Sequence, residues 1–160
     1  MSYWLLKSEP TSYSIDDLFR EKNKITSWDG VRNYQTRNFM RDGMKKGDLA
    51  FFYHSNCEKP GIVGVVEIVR ESYPDLTALD PKDHHYDPKN TPDNPRWLMV
   101  DIKFRKKFPG VISLQELRQN PKLKDLLILR KGNRLSITPV SKAHWGAIMK
   151  MEQLDVCCYL

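Results

Sequence analysis

The segment Gly61–Val69, GIVGVVEIV, constrains the fold most strongly, because its β-branched residues favour an extended strand. The apolar segment Leu49–Tyr53 precedes it, and the polar residues between the two predict a hairpin. Three further segments have the character of short strands: Tyr3–Ser8, Arg96–Phe104 and Leu135–Ile137. These strands do not alternate regularly with helices. We therefore predict a mixed α/β fold, a five-stranded, partly closed β-barrel flanked by helices.

Capping residues mark the starts of several predicted helices. Ser14 precedes an apolar pattern of helical spacing, and Ser113-x-x-Glu116 is a capping-box pattern. A polar helix is expected over Asn33–Arg41, closed by Gly43. Helical patterns also cover Leu123–Leu129 and Ser141–Met149.

Length and charge limit the class of protein. A chain of 160 residues fits one domain over residues 1–160, and a formal net charge of +6 suits a polyanion partner without requiring one. The three cysteines, Cys57, Cys157 and Cys158, lack metal-ligand spacing, which favours reduced thiols. No apolar run reaches the roughly 18 residues of a membrane span. We expect a cytoplasmic protein with no membrane partner.

A predicted turn, Trp28–Val31, and the polar helix that follows it form the strongest candidate binding segment, WDGVRNYQTRN. An indole face can stack on a nucleobase, Asn33 offers both a donor and an acceptor, and Arg37 offers a planar fork for a phosphate or a base. The alternative is that Trp28 belongs to the core and that the helix presents a solvated face. The residues alone favour this alternative slightly.

Two other segments end apolar strands with polar side chains. Lys7, Ser8 and Glu9 stand at the end of the first strand, and His54, Ser55 and Asn56 follow the strand that ends at Tyr53. Polar groups at strand ends often contact ligands from a rigid support. An ordinary polar loop explains each of them as well.

Basic and metal-ligating residues add weaker signals. Arg130, Lys131 and Arg134 are candidates for a phosphate-binding face, alone or with the basic residues of positions 103–107. His84 and His85 lie among aspartates without a metal-binding signature, so loop solvation is favoured and neither a metal nor a cofactor is predicted. We find no catalytic motif, and Cys57 with His54 matches no known nucleophile–base geometry.

The whole chain resembles the EVE domain family, which includes the thymocyte nuclear protein group. The resemblance is carried by YWLLKSEP, SIDDL, WDGVRNYQTRN, KKGDLAFFYHSNCEKPGIVG, RWLMVDIKF and LSITPVS, and a stand-alone bacterial member is expected. It implies a PUA-like fold related to the YTH domain, and a reader of modified bases such as modified cytosine in DNA.

The same resemblance implies roles for particular residues. Trp28 would stack on the base, and the pocket would be completed by Lys7, Ser8, Glu9, Asn33, His54, Ser55 and Asn56. The rim or the phosphates would be reached by Arg32, Arg37 and Asn38, to which the basic stretch adds Arg130, Lys131 and Arg134 as phosphate candidates. The YTH cage has further tryptophans in a late loop, whereas residues 80–95 here contain Tyr86 and no tryptophan. We therefore expect one tryptophan floor with polar walls.

The sequence thus predicts a non-catalytic, monomeric reader of a modified nucleobase, with nucleic acid as its partner. An enzyme acting on RNA or a nucleotide is the first alternative. A protein-interaction module that uses the loop from Tyr73 to Pro95 is the second.

Overall fold

The computed structural model describes the backbone of residues 1–158 and the side chains of residues 1–153. The strands are β1 (Tyr3–Ser8), β2 (Ile25–Trp28), β3 (Leu49–His54), β4 (Gly61–Pro74), β5 (Leu98–Ser113) and β6 (Ile137–Val140). The α-helices are α1 (Ile15–Arg20), α2 (Tyr34–Asn38), α3 (Leu114–Gln119) and α4 (Lys142–Cys158). The reduced thiols predicted for Cys157 and Cys158 lie outside the described side chains. Among residues 1–158, none of the helices combines the length and hydropathy that a membrane crossing requires.

The strands form one mixed sheet in the order β2-β5-β4-β3-β1-β6. β1 runs parallel to β3, and the other pairs are antiparallel. The mixed α/β architecture with flanking helices is confirmed, but the sheet has six strands and is not closed. The additional strand is β2, which the sequence analysis did not detect. Its four residues are too short to show a pattern, and they become a strand by pairing with β5, where Trp28 lies opposite Val100.

Alternation along the central strands separates two apolar cores, one on each face of the sheet. Leu6, Phe52 and Val66 belong to the first core, and their chain neighbours Leu5, Phe51 and Val65 belong to the second. Successive side chains of a strand point to opposite faces, so one strand contributes to both cores. Helix α4 covers the second core, where the ring of Trp145 stacks on Phe51 with centroids 3.9 Å apart. Trp28 lies in the first core.

Local signals gave several boundaries correctly. Ser113 forms the expected capping box, and Ser14 is the expected N-cap and forms a capping box with Asp17 as well. Ser141 Oγ accepts a hydrogen bond from the His144 amide at the start of α4. Gly43 ends a π-helical turn, Phe39–Gly43, that continues α2. A Cβ at Gly43 would lie 2.7 Å from the Trp4 ring, so this glycine makes room for an indole.

Other boundaries were wrong. The segment expected to be helical at Leu123–Leu129 forms two 3-10 turns, Pro121–Leu123 and Leu127–Leu129. The last strand begins at Ile137 rather than Leu135. β4 and β5 extend well beyond the predicted segments, because each pairs with the other along most of its length and irregular registers absorb the mismatched residues. Non-local pairing therefore set these lengths.

Candidate functional site

A cavity of about 470 Å³ opens where the curved sheet fails to close. β2 and β1 are first and fifth in the strand order, yet residues of both line this cavity. Its volume lies within the roughly 300–1,000 Å³ range of small-ligand pockets. The lining residues are Lys7, Ser8, Ser12, Tyr13, Thr26, Ser27, Trp28, Asp29, Gly30, Val31, His84, His85 and Ser136.

Trp28 lines the cavity and also belongs to the first apolar core. Its indole packs edge-on against Phe52, with ring centroids 5.8 Å apart, and 9% of the residue is exposed. The two interpretations of Trp28 from the sequence are therefore compatible. Core packing fixes the ring, and the remaining surface faces the cavity.

The β1 wall carries Lys7 and Ser8. Ser8 Oγ donates to the Tyr13 carbonyl over 2.8 Å, which holds the loop after β1 against the cavity. The Lys7 amide donates to the Ser136 carbonyl over 2.8 Å, which brings Ser136 to the same wall. Burial lowers the pKa of the Lys7 ammonium from its ordinary value.

Asp29 directly follows Trp28 and is an exposed residue of the cavity lining. Partial desolvation raises the pKa of its carboxyl, and the negative charges of Asp75 and Asp83 raise it further, while His85 and Arg32 act in the other direction. The cavity therefore contains a carboxylate whose charge is only partly compensated.

A clasp between Arg32 and Asp75 holds the third wall in place. Arg32 Nη1 donates to Asp75 Oδ2 over 3.0 Å, and Arg32 Nη2 donates to the His85 carbonyl over 2.6 Å. Asp75 is fully buried and also accepts from the Gly30 and Thr77 amides, each over 2.9 Å. Burial alone would raise the pKa of Asp75, but these hydrogen bonds outweigh it and lower the pKa.

His85 packs directly on the backbone of Gly30. Gly30 has φ +76°, and a Cβ there would lie 2.6 Å from His85 Nε2. Asp83, His84 and His85 also bring ligand atoms within 4.8 Å of one another, which makes them the group in the described residues that resembles a metal site. Asp83 Oδ1 already accepts a hydrogen bond from the His85 amide over 2.9 Å, and this local turn accounts for the proximity.

Of the predicted pocket residues, Lys7, Ser8 and Trp28 line the cavity together. The predicted residues in and next to α2 instead form hydrogen bonds within the fold. Asn33 caps α2 by accepting from the Thr36 amide over 3.0 Å. Arg37 donates to the Arg96 carbonyl over 3.1 Å and to Asn38 Oδ1 over 2.9 Å. None of Asn33, Arg37 and Asn38 lines the cavity.

The second polar segment lies behind the β1 wall. His54 Nε2 accepts from the Ile15 amide over 3.1 Å, and burial lowers the pKa of its ring. The Ser55 amide donates to the Ser8 carbonyl over 2.9 Å, and Asn56 Nδ2 donates to Glu9 Oε1 over 3.3 Å. Glu9, His54, Ser55 and Asn56 therefore support the wall from outside. His54 also borders a smaller cavity of about 210 Å³ beside Ile15 and Lys107.

The two basic stretches differ in their partners. Arg130, Lys131 and Arg134 are exposed, and among the described residues none of them forms an ion pair. They precede the cavity residue Ser136 along the chain. Arg105, Lys106 and Lys107 pair with Glu67, Glu152 and Asp16. The first stretch therefore offers uncompensated charge near the cavity.

Several lining residues had no signal in the sequence. Asp29 and Gly30 were interpreted as part of a turn, Ser136 as part of the last strand, and Thr26 and Ser27 were not singled out. His84 and His85 were assigned to a solvated loop, although aromatic cage residues had been sought in that loop. Their position beside Trp28 depends on the clasp between Arg32 and Asp75, which spans 43 residues of sequence.

Comparisons with known proteins agree on one family. The profile of the EVE domain matches residues 2–151. Thymocyte nuclear protein 1 of Gallus gallus is 44% identical over 94% of this chain and 69% of its own length, and the Homo sapiens protein is 42% identical over 96% and 75%. A crystal structure of a Pseudomonas putida protein has a TM-score of 0.90 and 47% identity, covering 94% of this chain and 99% of that one. The structure of human THYN1 in complex with DNA containing 5-methylcytosine has a TM-score of 0.89 and 42% identity, covering 95% and 98%.

Proposed function

The chain belongs to the EVE domain family, and from this premise we propose that it reads a modified base in nucleic acid by holding an extruded base in the cavity beside Trp28. The observation that carries the proposal is that one cavity combines an indole held by the core with unpaired polar groups on two walls. Enzymes and readers that handle a single base take it out of the stack and read its edge with hydrogen bonds. The cavity offers both kinds of contact.

Modified cytosine in DNA is the ligand we favour. The human relative, 42% identical to this chain, has been crystallised with DNA that contains 5-methylcytosine. The net charge of +6 and the unpaired Arg130, Lys131 and Arg134 supply attraction for phosphates near the cavity. We propose that the protein acts as a monomer.

We further propose that binding proceeds without turnover. His54 is the base of the nucleophile–base candidate with Cys57. Its Nε2 already accepts a hydrogen bond from the Ile15 amide, so this nitrogen is engaged in holding the fold. The loop of the protein-interaction alternative contributes His84 and His85 to the cavity wall, which favours a role in binding the base. A cytoplasmic location stays a prediction from the sequence. The name of the vertebrate relatives, thymocyte nuclear protein 1, does not support it.

The test is a binding series with modified and unmodified oligonucleotides at fixed salt, because non-specific affinity depends steeply on salt. Trp28→Ala is expected to weaken binding of the preferred modified oligonucleotide by about 1–3 kcal/mol, the usual contribution of one stacked base. Affinity equal to that of the wild type would contradict the proposal.

The matched control is Trp145→Ala. Trp145 has the same exposed fraction, 9%, but lies in the second core against Phe51. Both variants lose core packing, so a comparable loss of stability is expected from each. Only the Trp28 variant should lose selective binding, and Trp28→Leu, which keeps an apolar side chain in the core, separates stacking from folding.

A further inference from the structure

Two opposite charges line the cavity without neutralising each other. Among the described residues, neither Lys7 nor Asp29 has an ion-pair partner. Lys7 lies in β1 and Asp29 directly follows β2, and both residues line the cavity. Two opposite charges that line one cavity from different strands are available to a ligand inside it.

Asp29 differs from the neighbouring acids in its lack of hydrogen-bond donors. Asp75 accepts from Gly30, Thr77 and Arg32, and Asp83 accepts from the His85 amide. Those two carboxylates therefore have a structural use in the wall. Asp29 is exposed, and among the described residues its carboxyl accepts no such hydrogen bond. The carboxylate is therefore free to accept a hydrogen bond from a donor on a bound base.

The chemistry of the two groups selects among base edges. An ionised carboxylate only accepts hydrogen bonds, and an ammonium group only donates them. Cytosine presents an exocyclic amino group as a donor, whereas thymine presents a carbonyl oxygen at the corresponding position. A carboxylate at that edge is satisfied by cytosine and repelled by thymine.

We propose that Asp29 is the residue that distinguishes amino-bearing pyrimidines, the cytosine class, from thymine and uracil, by accepting a hydrogen bond from the exocyclic amino group. Lys7 then donates from β1 to ring acceptors of the same base. This inference rests on the proposed function, and it addresses a problem that shape cannot solve. A 5-methylcytosine and a thymine carry the same methyl group, so a methyl-shaped pocket accepts both.

The test uses four DNA duplexes that differ only in one central base: cytosine, 5-methylcytosine, uracil or thymine. The central base faces an abasic site, so that extruding any of the four bases breaks no base pair. The wild type is expected to prefer 5-methylcytosine over thymine by roughly 5- to 150-fold, because a bound thymine would cover the Asp29 carboxylate without donating a hydrogen bond to it.

In Asp29→Asn, the 5-methylcytosine to thymine ratio should approach one, because an amide both donates and accepts. The methyl effect, measured as thymine over uracil and as 5-methylcytosine over cytosine, should persist. Asp125→Asn is the control: this exposed aspartate does not line the cavity, and its substitution changes the net charge equally.

The outcomes separate the two proposals. If the wild type shows no preference for 5-methylcytosine over cytosine, the proposed reading of modified cytosine fails first. If the wild type shows that preference but Asp29→Asn discriminates against thymine as strongly as before, only the role of Asp29 is overturned. Thermal unfolding of each variant confirms that the comparison is made on folded protein.

Discussion

Gly30 shows how one residue connects the backbone, the loop and the cavity. Its φ of +76° favours glycine, and its amide donates to buried Asp75. The space that a Cβ would fill at this position is occupied by the His85 ring. The sequence marked Asp29-Gly30 as a turn, and this was correct as local chemistry. It gave no indication that a histidine 55 positions later would pack on the turn.

We predict that Gly30→Ala costs more stability than left-handed strain alone. A Cβ at Gly30 would lie 2.6 Å from His85 Nε2, so the ring must move and the cavity wall moves with it. Gly132 has φ +80° with nothing within 4 Å of the corresponding Cβ, so Gly132→Ala measures the strain by itself, about 1 kcal/mol. Urea unfolding of both variants gives the difference.

A His85→Ala background checks the cause of that difference. With the ring removed, Gly30→Ala should cost only as much as Gly132→Ala. An unchanged cost in the double variant would mean that His85 is not the obstacle.

At the scale of elements, the clasp between Arg32 and Asp75 joins the turn after β2 to the loop after β4. The Arg32 guanidinium also donates to the His85 carbonyl, so the three partners form one unit. From the sequence, Arg32 is predicted to reach phosphates or the pocket rim, and this role stays a prediction. Its observed partners, Asp75 and the His85 carbonyl, belong to the loop that carries His85. Loop order here depends on a buried charge rather than on local turn chemistry.

We predict that Asp75→Asn lowers the free energy of unfolding by about 1–3 kcal/mol at neutral pH, because Arg32 keeps its charge beside a weaker acceptor. The lowered pKa of Asp75 fixes the pH dependence. Its ionised form stabilises the fold fully above the unfolded pKa of about 3.9, and this stabilisation is lost as the pH falls through the folded pKa. The gap between wild type and variant should therefore narrow below about pH 4.

Asp42→Asn is the exposed counterpart, because Asp42 pairs with Arg41 on the surface and its pKa is lowered too. Exposed pairs contribute little, so this variant should unfold close to the wild type in urea. A gap for Asp75→Asn that stays constant down to pH 3 would argue against the clasp as the origin of the effect.

At the scale of the whole molecule, charge and cavity have different tasks. Phosphate contacts attract and position nucleic acid, and contacts to the base give specificity. The basic residues at 105–107 are paired with acids, whereas Arg130, Lys131 and Arg134 are exposed without ion pairs among the described residues. The sequence treated the two stretches alike, because their partners lie far away in the chain.

We predict that replacing Arg130, Lys131 and Arg134 together by alanine lowers affinity for all duplexes and reduces the slope of log K against log salt by up to about 2.7. The 5-methylcytosine to cytosine ratio should stay constant. Alanine at the exposed Lys45, Lys46 and Lys59, which lie outside the cavity, removes the same charge. An equal change of slope in both triple variants would show net charge rather than a phosphate-binding face.

The sequence by itself determined the features that depend on neighbours in the chain. Each of the consecutive apolar pairs Leu5-Leu6, Phe51-Phe52 and Val65-Val66 supplies one side chain to each face of the sheet, and so to each core. Ser14 and Ser113 specified helix starts through hydrogen bonds that span three residues. The motifs also carried the resemblance to the family and singled out Trp28.

Only the tertiary structure decided which residues share the cavity with Trp28. Lys7, Asp29, His85 and Ser136 come from four parts of the chain, and the curvature of an unclosed sheet brings them together. The polar residues at 33, 54 and 56 had the same chemistry as true lining residues, but they are engaged by α2, α1 and Glu9. Residue type states what a side chain can bind, and the fold decides which groups remain unpaired and face the cavity.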